Sequence, residues 1–422
     1  MAWREGGAPC GRASELLRER CGLEPDAVTF LASHTHAATY PQTAEDEELF
    51  AARVAEAVGE AIERARPAEV AYRHVDLGRG WVFNRRYFID ENYGSHCLMF
   101  NPGLAVRSDG AVDCSEQIRR AVTEDWGGDW AACGASRRAE IIADGPTDPF
   151  LHLVAFRDAR SREPLGGLVR MTGHAVIVST HWTKNRISAD YPGCLCRALS
   201  ASLGGEFCFL QGPAGDERPV HEKNDFETCE RYGAALAARA TEGAGELEYS
   251  RLMRVVCSTA SLRLPAHPET PADYETAMKL HRELSEKAEE NRRSGGEGWR
   301  TKRLLDRAFW CEIRSRSLKG GGFEETRREG FLSRPAAWRI GPVVLAALSG
   351  EIFARTAHQV TALARPEVRP SLVVCELAND STGYMPTLED FGLGGYEPNT
   401  AGIAPGGSEL AARKAAELAG SV

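Results

Sequence analysis

Ile340-Gly341-Pro342-Val343-Val344-Leu345-Ala346-Ala347-Leu348-Ser349-Gly350-Glu351 passes from a long apolar run into two small residues and an acid. Such a run, without polar alternation, predicts a strand buried on both faces over Ile340–Leu348. A helical period follows through about Leu363. Strand, short polar loop and helix form the repeating unit of an α/β domain, and the rest of the chain repeats it. Val28–Ser33 predicts a buried strand ending at His34 and His36. Phe150–Phe156 and Pro164–Val169 predict two more, the second leading into Gly173-His174. Glu206–Leu210 leads into Gln211–Asp216, and Ser371–Glu376 into Asn379–Tyr396. Helical periods at 44–65, 190–203, 225–242 and 407–420 alternate with these runs. The expected class is α/β, with mixed sheets flanked by helices. The charged helical stretch 272–292 and the Arg/Gly-rich stretch after it read as a helical excursion over about 270–330.

The 422 residues are 43% hydrophobic and 26% charged, with a net charge of −9. These proportions are globular and exclude wholesale disorder and the collagen-like and coiled-coil classes. The acidic balance argues against nucleic acid as a partner. No apolar run nears the ~18–20 residues of a membrane span, and the N-terminus lacks the apolar core of a secretory signal. The expectation is a cytoplasmic protein with a small-molecule substrate; homo-oligomerisation stays open. Twelve cysteines at irregular spacings, with no CxxC, read as reduced thiols. Residues 90–145 show no clean period, and such stretches are often functional loops. Phe88, Trp126, Trp130 and Trp182 either line a pocket there or pack as ordinary core.

His34, His36, His174, Asp216, Glu351 and Tyr384 all fall just past the end of an apolar run. In α/β folds ligands bind in crevices beyond strand ends, where loops converge. Residues i and i+2 of an extended chain face one side, so His34 and His36 can share a cleft, one on a metal and the other handling protons. Imidazoles with a carboxylate suit Zn²⁺. Taken singly, the His-x-His pair, Gly-His and the strand-end Glu each fit ordinary core or capping roles; together they point to a metal site. Asp190 reads as a cap for the helix after it. Asp216 reads either as a group orienting a histidine ligand or as a turn residue.

In order along the chain, these motifs resemble the neutral, non-lysosomal ceramidase family. Ser33-His34-Thr35-His36 is similar to its THTH signature, and Gly173-His174-Ala175-Val176 to its second histidine segment. Ser188-Ala189-Asp190-Tyr191-Pro192-Gly193 is similar to its SADYPG stretch. Phe209-Leu210-Gln211-Gly212-Pro213-Ala214-Gly215-Asp216 resembles its small-residue loop. Ser349-Gly350-Glu351 resembles its PGE, and Ala378-Asn379 with Tyr384 its AN-x4-Y segment. The resemblance spans about residues 25–400. It implies one ceramidase-like catalytic domain over 1–422, without the family's C-terminal immunoglobulin-like domain.

The resemblance further implies a zinc-dependent amidase with one Zn²⁺ per chain. His34, His174, Glu351 and Tyr384 would hold the zinc, and His36 would shuttle protons beside the activated water. Tyr396 would contact the scissile carbonyl. Arg85, next to Arg86, would bind substrate or stabilise the oxyanion. Gly212 and Asp216 would lie at the substrate; Gly212 stands where the family carries a serine, which removes a hydroxyl there. The expected reaction is cleavage of an amide C–N bond in a small N-acylated substrate. The alternative is a zinc-dependent lyase, isomerase or cyclase of secondary metabolism that reuses the same metal site.

Overall fold

The computed structural model describes residues 8–39, 41, 43–98, 104–179, 186–242, 247–251, 254–268, 271, 273–319 and 328–422. Two mixed sheets dominate it. The first runs Ser250–Arg251, Ala68–Asp76, Phe150–Asp158, Pro164–Met171, Glu206–Gln211. The second runs Val255–Thr259, Ala336–Ile340, Val343–Ala347, Leu372–Cys375. In both, every pairing is antiparallel except the last, which is parallel. A parallel neighbour needs a crossover. Helices Asp190–Leu203 and Ala354–Leu363 supply the two crossovers.

Side-chain alternation along the strands sorts the core into layers. Val70, Val154 and Leu210 from the first sheet meet Val343, Leu345, Ala347, Val373 and Cys375 from the second. The opposite face of the first sheet packs Leu153, Val169 and Phe207 against Tyr191, Leu195, Leu199 and Leu236 of two helices. The opposite face of the second packs Val344, Ala346 and Val374 against Ala357, Val360, Ala411 and Ala415. The order is helix, sheet, sheet, helix, which bears out the α/β expectation of mixed sheets flanked by helices. Continuous apolar runs mark these strands because both of their faces are covered.

Two strand expectations change. The run Ile340–Leu348 is broken by a turn at Gly341-Pro342, where Gly341 has φ 58°. Ile340 therefore ends one strand of a hairpin and pairs with Val343 of the next; the Gly-Pro turn signal was masked by the apolar residues around it. Val28–Ser33 is extended but forms only an isolated bridge, Leu31 to Ala378. Its partner segment carries Leu377 at φ 56° and Asn379 at φ 60°, which curls that backbone away from a regular ladder. The Asn379 side chain substitutes for ladder bonds, accepting from Phe30 N at 3.0 Å.

The irregular stretch builds a satellite core of its own, in which Trp126 packs beside Tyr93 and His96, with Trp130 partly buried against it. These two tryptophans are packing residues; Trp182 lies outside the described residues. The helical excursion is a hairpin of Tyr274–Arg293 and Gly298–Lys319, whose Phe309 stacks on Tyr396 with ring centroids 5.5 Å apart. Among the described residues no helix is long and apolar enough to cross a membrane.

Candidate metal centre

The loops leaving Met171, Gln211, Ala347 and Cys375 emerge at one end of the paired sheets, and the sequence-derived histidines and acid meet there. One coordinating nitrogen each from His34, His36 and His174 lies within 4.8 Å of the others. Glu351 Oε2 stands 3.4 Å from His34 Nε2 and 3.3 Å from His174 Nε2. His34 and His174 are 3% and 1% exposed, whereas His36 opens to solvent.

Each loop is pinned by backbone bonds to the others. His36 N donates to Ala175 O, and His174 N to Glu217 O. His174 Nδ1 lies 3.3 Å from the same Glu217 carbonyl; that contact puts the ring proton on Nδ1 and leaves Nε2 as the coordinating atom. The 188–193 stretch is the mortar between the histidine loops. Ser188 O accepts from Thr35 Oγ1, and Ser188 N donates to Ala37 O. Asp190 accepts from Val178 N and Tyr191 N, and Tyr191 Oη donates to Gly173 O. Asp190 thus sits at the helix start, but its carboxylate clamps the His174 loop as well. Among the described residues, His34, Asp190, Leu377 and Asn379 all have positive φ, a conformation that costs side-chain-bearing residues about 1–3 kcal/mol each. Gly350 needs its φ of 77°, and a Cβ there would lie 2.2 Å from Thr382 Oγ1.

Burial lowers His34 and carries His174 well below the ordinary histidine range, Arg85's charge adding to the effect at His174. Desolvation and the adjacent His34 hold His36 down too, its open side notwithstanding. Glu351 is pulled both ways: burial raises it, while charged His34 and His174 would hold it well down. Both effects cannot operate together, because imidazoles kept neutral by burial have no charge to offer. Burial prevails for rings so enclosed. What the geometry leaves is the Glu351 carboxyl set between two imidazole nitrogens, and among the described residues His174 Nε2 and Glu351 Oε2 are buried without hydrogen-bond partners. A donor set of imidazoles and carboxylate lacking a counter-charge fits a cation, and Zn²⁺ matches its chemistry.

Tyr384 pairs with Glu351 across a short parallel bridge. Its hydroxyl accepts from Arg85 Nη2 at 3.0 Å, and Tyr396 packs edge-on to its ring at 5.8 Å. Arg85 also donates to Gly215 O and, through Nε, to Glu397. Glu397 takes Arg86 on its other oxygen. Sequence reasoning missed Glu397, although it directly follows Tyr396, because nothing local marks its pairing with residues more than 300 positions away. It also missed Glu376, whose Oε2 accepts from both Ala214 N and Ile352 N.

Gly212 and Asp216 do not join the open side of this centre. A Cβ at Gly212 would lie 2.5 Å from Arg170 Nε and 2.7 Å from Thr172 Oγ1, so the arginine fills the space a side chain there would need. Asp216 gives one oxygen to Asn84 Nδ2 and the other to Ala354 N at the start of a helix. It is a buried clamp between loops, and burial pushes its carboxyl from 3.8 to about 7.

No protein-family model matches the chain, and no curated protein matches its sequence. Solved structures do match. Neutral ceramidase from Pseudomonas aeruginosa aligns with a TM-score of 0.63 at 15% identity, over 100% of this chain and 64% of that one. A ceramidase complexed with C2 aligns with a TM-score of 0.61 at 14% identity, over 98% and 65%. The chain has a ceramidase-like fold and spans a little under two thirds of those chains.

Two outcomes follow from this packing. Gly212→Ser is expected to destabilise the protein by about 1–3 kcal/mol through overpacking against Arg170; an unchanged urea midpoint would contradict the crowding. For Asp216, the folded value exceeds the unfolded one, so its contribution to stability is full below about pH 4 and is lost as pH rises through about 7. Asp216→Asn, which cannot ionise, is therefore expected to cost less relative to the parent at pH 8 than at pH 5. Urea unfolding at both values checks this, and a pH-independent difference would mean Asp216 titrates like an exposed acid.

Proposed function

We propose that this chain is a zinc-dependent hydrolase that cleaves an amide C–N bond in a small N-acylated substrate. The observation that carries the reading is Glu351 Oε2 set 3.3–3.4 Å from the Nε2 atoms of His34 and His174, with His36 completing a three-imidazole group. The ceramidase-like fold supports it, since the aligned proteins bear the name of an amide-cleaving enzyme.

In this reading His34, His174, Glu351 and Tyr384 hold the metal. Zinc in such a site supplies Lewis acidity and lowers the pKa of bound water toward ~7. The chain's own groups do the rest. His36, the one ring open to solvent, takes a proton from water and returns it to the leaving amine. Arg85 holds the Tyr384 hydroxyl through Nη2, and its Nη1, which makes no hydrogen bond among the described residues, serves a carbonyl oxygen as charge develops there. Tyr396, packed edge-on to Tyr384, contacts the scissile carbonyl. Arg86 and Glu397 fix Arg85 in place.

Purified parent is expected to carry about one zinc per chain, and both His174→Ala and Glu351→Ala to lose it. A parent that stays metal-free after incubation with zinc would remove the basis of the hydrolase reading. With a cleaved N-acyl probe in hand, ¹⁸O from solvent is expected in the product acid; its absence would move the reaction to a lyase or isomerase. His36→Ala is expected to keep its zinc and lose roughly 10²–10⁴-fold in kcat. Full activity in that variant would take the proton-transfer role away from His36.

A further inference from the structure

Arg218 lies on the short strand Glu217–Pro219, directly after the residue whose carbonyl holds His174. It is 6% exposed. Among the described residues no hydrogen bond or ion pair engages its guanidinium, and its Nε is sealed from solvent without an acceptor. Among the described residues the other deeply buried arginines each have at least one acceptor, although Arg314 Nε is orphaned too. Arg85 and Arg86 share Glu397, Arg170 holds Asp148, and Arg314 donates to Ala401 O.

Among the described residues nothing nearby supplies the missing anion. The groups whose charges bear on Arg218 are Arg85, Cys97, Tyr384 and Asp190. Arg85 repels it and is balanced by Glu397. Burial keeps the Cys97 thiol protonated, and the Tyr384 hydroxyl is already engaged by Arg85 Nη2. Asp190 is pushed up to about 7 by burial and spends its oxygens on Val178 N and Tyr191 N. Burial and Arg85 lower Arg218 only to about 10, so it is charged at neutral pH. A buried, unpaired guanidinium is heavily penalised, and such penalties persist where a ligand completes the pairing.

We propose that Arg218 recognises an oxyanionic group, a carboxylate or phosphate, carried by the substrate beside the Arg85–Tyr384 pair. This rests on the hydrolase reading for the identity of the substrate, though not for the anion site itself. The planar guanidinium matches both oxyanions through paired N–H donors. A neutral N-acyl compound would leave the charge unpaired, so Arg218 discriminates against it. The substrate class narrows to small N-acylated acids or phosphates.

Thermal unfolding with sodium acetate or sodium phosphate in place of sodium chloride, at constant ionic strength, tests the assignment. The parent midpoint is expected to rise with at least one oxyanion above its value in chloride. Arg218→Met is expected to be more stable than the parent in chloride and to lose the oxyanion response. Arg218→Lys, which keeps the charge without the fork, is expected to need on the order of tenfold more anion, and it decides the matter if the methionine variant does not fold. Glu351→Ala, impaired at the metal centre, is expected to keep the response, which separates this site from the fate of the hydrolase reading. The anion with the lower half-saturation identifies the group as carboxylate or phosphate. No rise in the parent, a rise that survives in Arg218→Met, or a rise lost in Glu351→Ala but kept in Arg218→Met would overturn the proposal.

Discussion

One buried carboxyl joins the two sheets at the end where the centre forms. Glu376 Oε2 accepts from Ala214 N, in the loop after the first sheet's last strand, and from Ile352 N, beside Glu351. Its backbone N–H donates to Gln211 O across the same gap. Burial and the nearby Glu351 push its carboxyl well above the ordinary range. Loss of the two bonds to Oε2 would leave two buried N–H groups unsatisfied, a cost of about 1–3 kcal/mol apiece. The spacing of Glu351 from the histidines follows from this junction, because Ile352 is the residue next to it.

The same end of the molecule carries most of the strain and most of the unbalanced charge. Four residues with positive φ bracket the histidine loops, and the side chains of two hold them in place: Asp190 accepts from Val178 N, and Asn379 accepts from Phe30 N and donates to Arg334 O. The α/β/β/α core supplies the stability that tolerates this. Its layers are apolar and closed, while the polar atoms without partners gather at the strand ends, His174 Nε2, Glu351 Oε2 and Arg218 Nε among them. The first two belong to the candidate metal centre, and the third to the site proposed for an oxyanion.

Where the chain departs from the pattern it resembles, packing gives the reason. Gly212 lacks a side chain because Arg170 lies against it and reaches across the sheets to Val374 O and Asp148. A hydroxyl at that position and the arginine exclude one another. The helical excursion delivers Phe309 to the flank of Tyr396.

The amino-acid order by itself determined which polar residues stand just past the ends of apolar runs. His34, His36, His174 and Glu351 were legible because each is a polar residue interrupting a buried apolar run, and burial writes that contrast locally. The α/β class was legible for the same reason. Only the tertiary structure decided what those residues meet. The Gly341-Pro342 hairpin, the incomplete strand before His34, the Glu376 junction, the Arg85–Glu397–Arg86 group and the unpaired Arg218 all depend on contacts between distant segments. Charge compensation in a buried site is set by neighbours in space, and a single carboxylate or guanidinium leaves no periodic trace in the chain that carries it.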